Sequence, residues 1–281
     1  LGDVYKRQLD IEGKLSGKLT EPDLEFEKLK IKGPLFNANY IGGVALGALP
    51  QLNGKLTFDT LKAGELSKQL NVKLPAAAAL EKVNFSGNLS GAADALQLTA
   101  IEFKHDGDLL QATYFGELAL AGPGALKGKL TASSKNLRAL LAAADVELAP
   151  GSTLQTFSAN SDVSGTFTNI ALSGLDLKLD ALTARGNVRI DLTGAKPRLT
   201  GKLNMGSIDL SPFLAPADQK PQAAGPLQAW SRDKLDLAGL SAADADLQLT
   251  TTQITLGSVK LTDAALTATL VDGKLAADLS K

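Results

Sequence analysis

Leu175-Asp176-Leu177-Lys178-Leu179-Asp180 alternates apolar and charged residues without a fault, and Val188-Arg189-Ile190-Asp191-Leu192-Thr193 does the same after Gly186. A period of two means extended backbone with one dry face and one wet face. Comparable alternation occurs in Lys55-Leu56-Thr57-Phe58-Asp59, Leu247-Gln248-Leu249-Thr250 and Val259-Lys260-Leu261-Thr262. In Leu24-Glu25-Phe26-Glu27-Lys28-Leu29-Lys30-Ile31-Lys32 the parity slips at Lys28, where one extra residue predicts a β-bulge. Asn53-Gly54, Asp106-Gly107, Gly122-Pro123-Gly124 and Asp272-Gly273 read as turns at hairpin spacing. The expected fold is mainly antiparallel β, half buried.

These strands recur with a period near 74 residues. Ser16-Gly17, Ser90-Gly91 and Ser164-Gly165 are each 74 apart, and Gly-Lys-Leu at Gly54, Gly128, Gly201 and Gly273 follows at 74, 73 and 72. Gly-Lys-Leu also occurs at Gly13 and Gly17, so the register rests on both markers together. Leu24, Leu98 and Leu172 align in it, as do Leu29, Phe103 and Leu177, and Tyr40-Gly42 matches Tyr114-Gly116. Five or so strands fit in each unit, which advances the sheet by about 24 Å at ~4.8 Å per strand. After the Gly-Lys-Leu strand the period turns helical: Leu137, Leu140, Leu141 and Val146 follow Asn136, a residue suited to capping, and Leu61–Asn71 and Ile208–Leu214 are the equivalent places. The expected architecture is therefore an elongated repeat array, a curled sheet or groove with a short helical connector about every 74 residues.

Residues 1–8 resemble translated sequencing-adaptor sequence and are set apart; 9–82, 83–156 and 157–214 form three β repeats, 215–229 a Pro-rich linker, and 230–281 a partial repeat opened by Trp230. With 5% aromatic residues and 27 Gly among 281, the chain has thin material for a deep globular core, which also favours an array. The 29 basic and 30 acidic residues are interspersed, so no basic stripe exists to displace counterions from nucleic acid. There is no Cys, hence no disulfide or thiolate metal ligand. No run reaches the ~18 to 20 apolar residues of a membrane-crossing helix.

Catalytic chemistry is sparse. His105, the only histidine, sits at a strand-to-turn passage and reads as an ordinary exposed side chain. The serines lack a Gly-x-Ser-x-Gly setting, no Gly-rich phosphate loop occurs, and Asp244 with Asp246 matches the acids on other solvated strand faces. The expectation is a protein that is not an enzyme and that uses no metal or cofactor.

The informative chemistry is the apolar stripe. Leu24, Phe26, Leu29, Ile31, Leu56, Phe58, Leu98, Phe103, Leu175, Leu177, Leu179, Val188 and Ile190 are the candidate lining of an apolar trough. Such a trough suits a ligand with no hydrogen-bonding needs, an acyl chain above all. The competing reading is a sealed core, covered by a second sheet or closed on itself.

Leu199-Thr200-Gly201-Lys202-Leu203 through Ile208-Asp209-Leu210-Ser211-Pro212-Phe213-Leu214, with Trp230-Ser231-Arg232-Asp233-Lys234-Leu235-Asp236-Leu237 and Gly239-Leu240, resembles the C-terminal part of AsmA-family proteins. The run from Ile254-Thr255-Leu256-Gly257 to Asp272-Gly273-Lys274-Leu275 is similar too, as is Leu179-Asp180 ahead of Gly186, and the resemblance spans Leu9 to Lys281. It implies a Gram-negative protein with an inner-membrane anchor outside this stretch and a long periplasmic β-rich body. Relatives are regarded as bridge-like β-grooves that move phospholipid between the two membranes and so support outer-membrane assembly. The implied partners are phospholipid, the membranes through terminal segments, and outer-membrane assembly proteins. The family offers no catalytic residues to carry over.

Three functions follow for weighing. A lipid carrier uses the apolar faces; a periplasmic scaffold docks partners through its outer face or edge strands. A β-helix enzyme would repeat at roughly 20 to 30 residues with acids gathered on one face, unlike this chain.

Overall fold

The structure, a computed structural model, describes residues 8–18, 21–72, 74, 76–145, 155–209, 243–256 and 258–280. Its strands come in sets of four. The first set is β1 (Gln8–Lys18), β2 (Glu21–Lys32), β3 (Phe36–Ala45) and β4 (Gln51–Thr60). The second is β5 (Lys82–Ala92), β6 (Gln97–Asp106), β7 (Gln111–Ala119) and β8 (Ala125–Ser134); the third is β9 (Phe157–Gly165), β10 (Asn169–Leu179), β11 (Leu182–Asp191) and β12 (Arg198–Asp209). A closing set holds β13 (Asp244–Leu256), β14 (Val259–Val271) and β15 (Lys274–Ser280). Helices α1 (Ala63–Gln69) and α2 (Leu137–Ala143) follow β4 and β8, at equivalent places in their units.

All strands belong to one sheet in the order β1 to β15. Every neighbouring pair is antiparallel except β12–β13, which is parallel. The first and last strands each have one partner, so the sheet is unclosed: an elongated, curled array. A unit contains four strands, not five. The strands are 9–12 residues long in the three full units, longer than the alternating runs alone suggested, because strands such as β3 and β7 are interrupted by glycines that hide the alternation. Four strands advance the sheet by about 19 Å per unit.

The repeat markers have structural causes. Gly17, Gly91 and Gly165 hold φ of 91°, 107° and 126°, a region L side chains avoid, and each lies at or near the end of the first strand of its set. The Tyr-x-Gly marker solves another problem. Gly42 pairs with Gly54 and Gly116 with Gly128 across adjacent strands, and the rings of Tyr40 and Tyr114 lie over the glycines of the facing strand. Their hydroxyls donate to the carbonyls of Gly43 (2.8 Å) and of Glu117 and Lys127 (both 3.0 Å). Aromatic cover of a bare backbone restores the packing that the glycine forfeits. For this reason Asn53-Gly54 is no turn: it lies inside β4, under Tyr40.

The bulge expected at Lys28 is present, and β6 and β10 carry register shifts in the corresponding strand of their units. At the other sites Ala100 and Gly174 take positive φ. Ile208 and Asp209 belong to β12 rather than to a third helix, since they continue the pairing with β13. The remainder of that helix, the linker 215–229, Trp230 and the strand start at Leu235 lie outside the described residues.

Two rims result. The β3–β4, β7–β8 and β11–β12 turns share one rim, and the helical connectors line the other. At each strand-to-helix corner a buried hydroxyl, Thr60 or Ser134, accepts the N–H two residues on (3.1 and 3.0 Å). Asn136 caps α2 by accepting the Ala139 N–H at 3.0 Å.

A Cβ at Gly116 would sit 2.2 Å from the Lys127 carbonyl oxygen, whereas one at Gly43 meets only the Leu24 oxygen at 3.9 Å. Urea unfolding should therefore show Gly116→Ala destabilised by about 1–3 kcal/mol and Gly43→Ala neutral or slightly stabilised. Equal midpoints for the two variants would refute the close Gly116–Gly128 approach.

Candidate functional site: the apolar face of the sheet

Following the pairing from strand to strand, all thirteen candidate lining residues fall on one face. The bulges matter here, because each inserts a residue and the apolar pattern shifts with it. Leu24 and Leu29 stay on the same side although an odd number of residues separates them from a strict alternation, and so do Leu98 and Phe103.

Among the described residues every strand belongs to this one sheet, so no second sheet covers the face. Of the thirteen, Leu98, Leu175 and Val188 are buried, at 9%, 7% and 8% exposure, and Ile31 is exposed at 43%. The other nine are half-buried. That gradation belongs to a curled single sheet whose side chains shield one another laterally.

Sequence reasoning missed several members of the face. Ile101, Ala184 and Tyr40 are buried in it, Tyr114 is half-buried, and Leu9, Ile11 and Leu15 extend it to the β1 edge. Phe58, Phe85, Phe103 and Tyr114 stand in one lane across β4 to β7. Nearby, the Phe36 and Phe58 rings stack at 6.0 Å and the Phe26 and Tyr40 rings meet edge-on at 6.2 Å. From β9 onward the face is largely aliphatic, with Leu203, Leu249 and Leu266 in successive strands. The signal for these residues was present in the 74-residue register, but glycines obscured it within single strands.

No Asp, Glu, Lys or Arg among the described side chains stands on this face; the charges sit on the other one. There they pair across strands, as in Lys14–Glu27 at 3.0 Å, Arg185–Asp176 at 3.2 Å and Lys129–Asp162 at 3.5 Å. Exposed pairs of this kind add little stability, and their effect is to keep one side wet.

His105 corrects the sequence reading. It is 2% exposed, not an ordinary surface side chain, because it occupies the place that Ile31 and Leu179 hold in the flanking units. Its Nε2 accepts the Glu81 N–H at 3.0 Å, and its Nδ1 has no hydrogen-bond partner. Burial pushes its pKa below the usual histidine value, while the Leu110 carbonyl, Glu81 and Asp106 pull the other way. Burial likewise raises the Tyr40 and Tyr114 hydroxyls, so both rings stay neutral on the face.

A cleft of about 720 Å³ lies on the opposite, polar side near the connector rim, walled by residues such as Asp106, Lys135, Ser158, Lys178 and Asp180. Asp180 serves the backbone there: its carboxylate accepts the Gln155 and Thr156 N–H groups at 2.9 and 2.8 Å, which holds its pKa below the ordinary carboxylate value. Among the described residues no cluster of three His, Cys, Asp or Glu could hold a metal, and no helix is long and apolar enough to cross a membrane.

If the face is open, truncation costs should follow local burial. Leu175→Ala is expected to lose about 2–5 kcal/mol and Ile31→Ala under about 1 kcal/mol, read from denaturant midpoints. Comparable large losses at both would mean that something covers Ile31.

Comparison with protein-family models, curated proteins and solved structures gives no match for this chain.

Proposed function

We propose that the chain is part of a periplasmic, AsmA-like lipid carrier that supports outer-membrane assembly by holding phospholipid acyl chains on the apolar face of its sheet. The observation that carries this reading is the continuity of that face: it runs from β1 to β15, without an Asp, Glu, Lys or Arg among the described side chains, on a sheet that does not close. A pocket for one small ligand needs no such length.

Magnitudes support the match. Exposing two sixteen-carbon chains to water costs on the order of 25 kcal/mol at ~0.8 kcal/mol per CH₂. An extensive apolar surface offsets a cost of that size, and a polar site does not. Fifteen strands at ~4.8 Å make a track roughly 70 Å long, and ten-residue strands make it about 34 Å wide before curling. One bilayer leaflet contributes about half of the ~30 Å hydrocarbon core, so an acyl chain fits across the trough. Charged groups projecting to the other side keep the carrier in water.

The scaffold reading retains one observation in its favour. Among the described residues β1 and β15 each pair on one side only, and an edge can add a partner strand. It gives no reason for an uncharged face across the whole sheet.

The test is native mass spectrometry of the chain isolated from a bacterial periplasm without detergent. Co-purifying phospholipid is expected on the unaltered chain, with Leu177→Asp and Ile190→Asp losing most of it while keeping the circular dichroism of a β-sheet. A stable, lipid-free chain would sink the carrier reading and favour the scaffold.

A further inference from the structure

We propose that His105 is a pH-operated latch that ties the α1 connector to the sheet and releases it on acidification. The proposal is independent of what occupies the apolar face.

The connectors of the first two units end in equivalent ways. Glu81 and Gln155, 74 residues apart, each use their carbonyl to accept the first helical N–H, from Ala63 at 2.9 Å and from Leu137 at 2.6 Å. Each then donates its own N–H to a side chain at the far end of the next unit's second strand. For Gln155 the acceptor is the Asp180 carboxylate; for Glu81 it is the His105 imidazole. One backbone residue thus couples the start of a helix to the sheet, and two different chemistries close the link.

The two acceptors respond differently to protons. A carboxylate with oxygens facing N–H donors keeps accepting until it is protonated, and the Asp180 pKa lies below the ordinary 3.8. Imidazole accepts through Nε2 only while neutral. Once protonated, Nε2 carries a hydrogen that opposes the Glu81 N–H, and the bond becomes a donor–donor contact. The charge would also be buried, because His105 is 2% exposed.

The surroundings do not rescue the charged ring. Its cross-strand neighbours Val83 and Ala112 are uncharged, and the adjoining 3₁₀ turn is all alanine. The ionisable groups nearby are Glu81 and Asp108 on the two loops, Lys104 and Asp106 on its own strand, and Lys82 opposite Asp106. The Leu110 carbonyl, Glu81 and Asp106 favour the imidazolium, yet Glu81 is already engaged by the Asp108 N–H at 3.1 Å. Burial outweighs all three, so the folded state prefers the neutral ring. The latch is therefore complete above the ordinary histidine value of 6.5 and weakens as pH falls through the lowered folded value.

Below the lowered His105 value and above the lowered Asp180 value, one connector should be released and the other held. Amide hydrogen exchange on the whole chain, corrected for intrinsic rates, tests this at about pH 7.5 and about pH 4.5. Protection at Glu81 and Ala63 is expected to fall at least about tenfold relative to Gln155 and Leu137, the internal reference. His105→Gln, which keeps an acceptor that does not titrate, should hold the ratio constant; His105→Leu should show the loosened Glu81 at both pH values. An unchanged ratio in the unaltered chain overturns the latch, as does an equal fall in His105→Gln. Should His105→Leu fail to fold, the first two measurements decide the question alone.

Discussion

Everything in this sheet depends on keeping parity between residue number and face. In extended backbone a slip of one residue turns every following side chain to the other side. The second strand of each unit makes such a slip, at Glu27–Lys28, Thr99–Ala100 and Ser173–Gly174. In each case the apolar pattern slips with it, and the face remains free of carboxylates and ammonium groups. Without the bulges, strict alternation would place Lys30, Glu102 or Lys178 among leucines. The compensation, written three times, shows that the uncharged face is specified by the sequence rather than left over from composition.

A single curled layer has little interior, and its stability is correspondingly local. Few large side chains are truly buried, and they are spread along the array: Tyr40 and Ile101 early, Leu175 and Val188 in the middle, Ile254 and Leu270 late. Lateral contact between neighbouring strands replaces a common centre. The tyrosine–glycine covers, the hydroxyl corners at Thr60 and Ser134 and the connector ties at Glu81 and Gln155 are small devices repeated once per unit. Their repetition suits a structure in which each unit needs only its neighbours.

Fold class and period were legible because alternation is a backbone property that survives at the level of letters. The candidate lining was legible for the same reason, down to Leu175, Leu177 and Leu179 on one side of β10. The number of strands per unit was not, since Gly42, Gly54, Gly116 and Gly128 break the alternation where backbones approach most closely. Asn53-Gly54 had the letters of a turn, but pairing with β3 and the ring above it kept the strand straight on. His105 was misread because polarity argues for the surface, and only the position of Glu81 in space supplies the partner that permits burial.

The parallel seam between β12 and β13 has a consequence for how the array assembles. Through β12, strands joined by tight turns can add as a zipper, each hairpin templating the next at low entropic cost, and the connectors interrupt this only with strands that return to the same rim. At the seam, β12 ends on one rim and its neighbour begins on the other, after the long stretch from Asp209 to Asp244. Closing a stretch of that length costs about 2 kcal/mol more than closing a tight turn. Non-local pairing of this kind is slow relative to hairpin growth. The β13–β14 and β14–β15 pairings are local, so pairing across the seam is the slow step in completing the sheet.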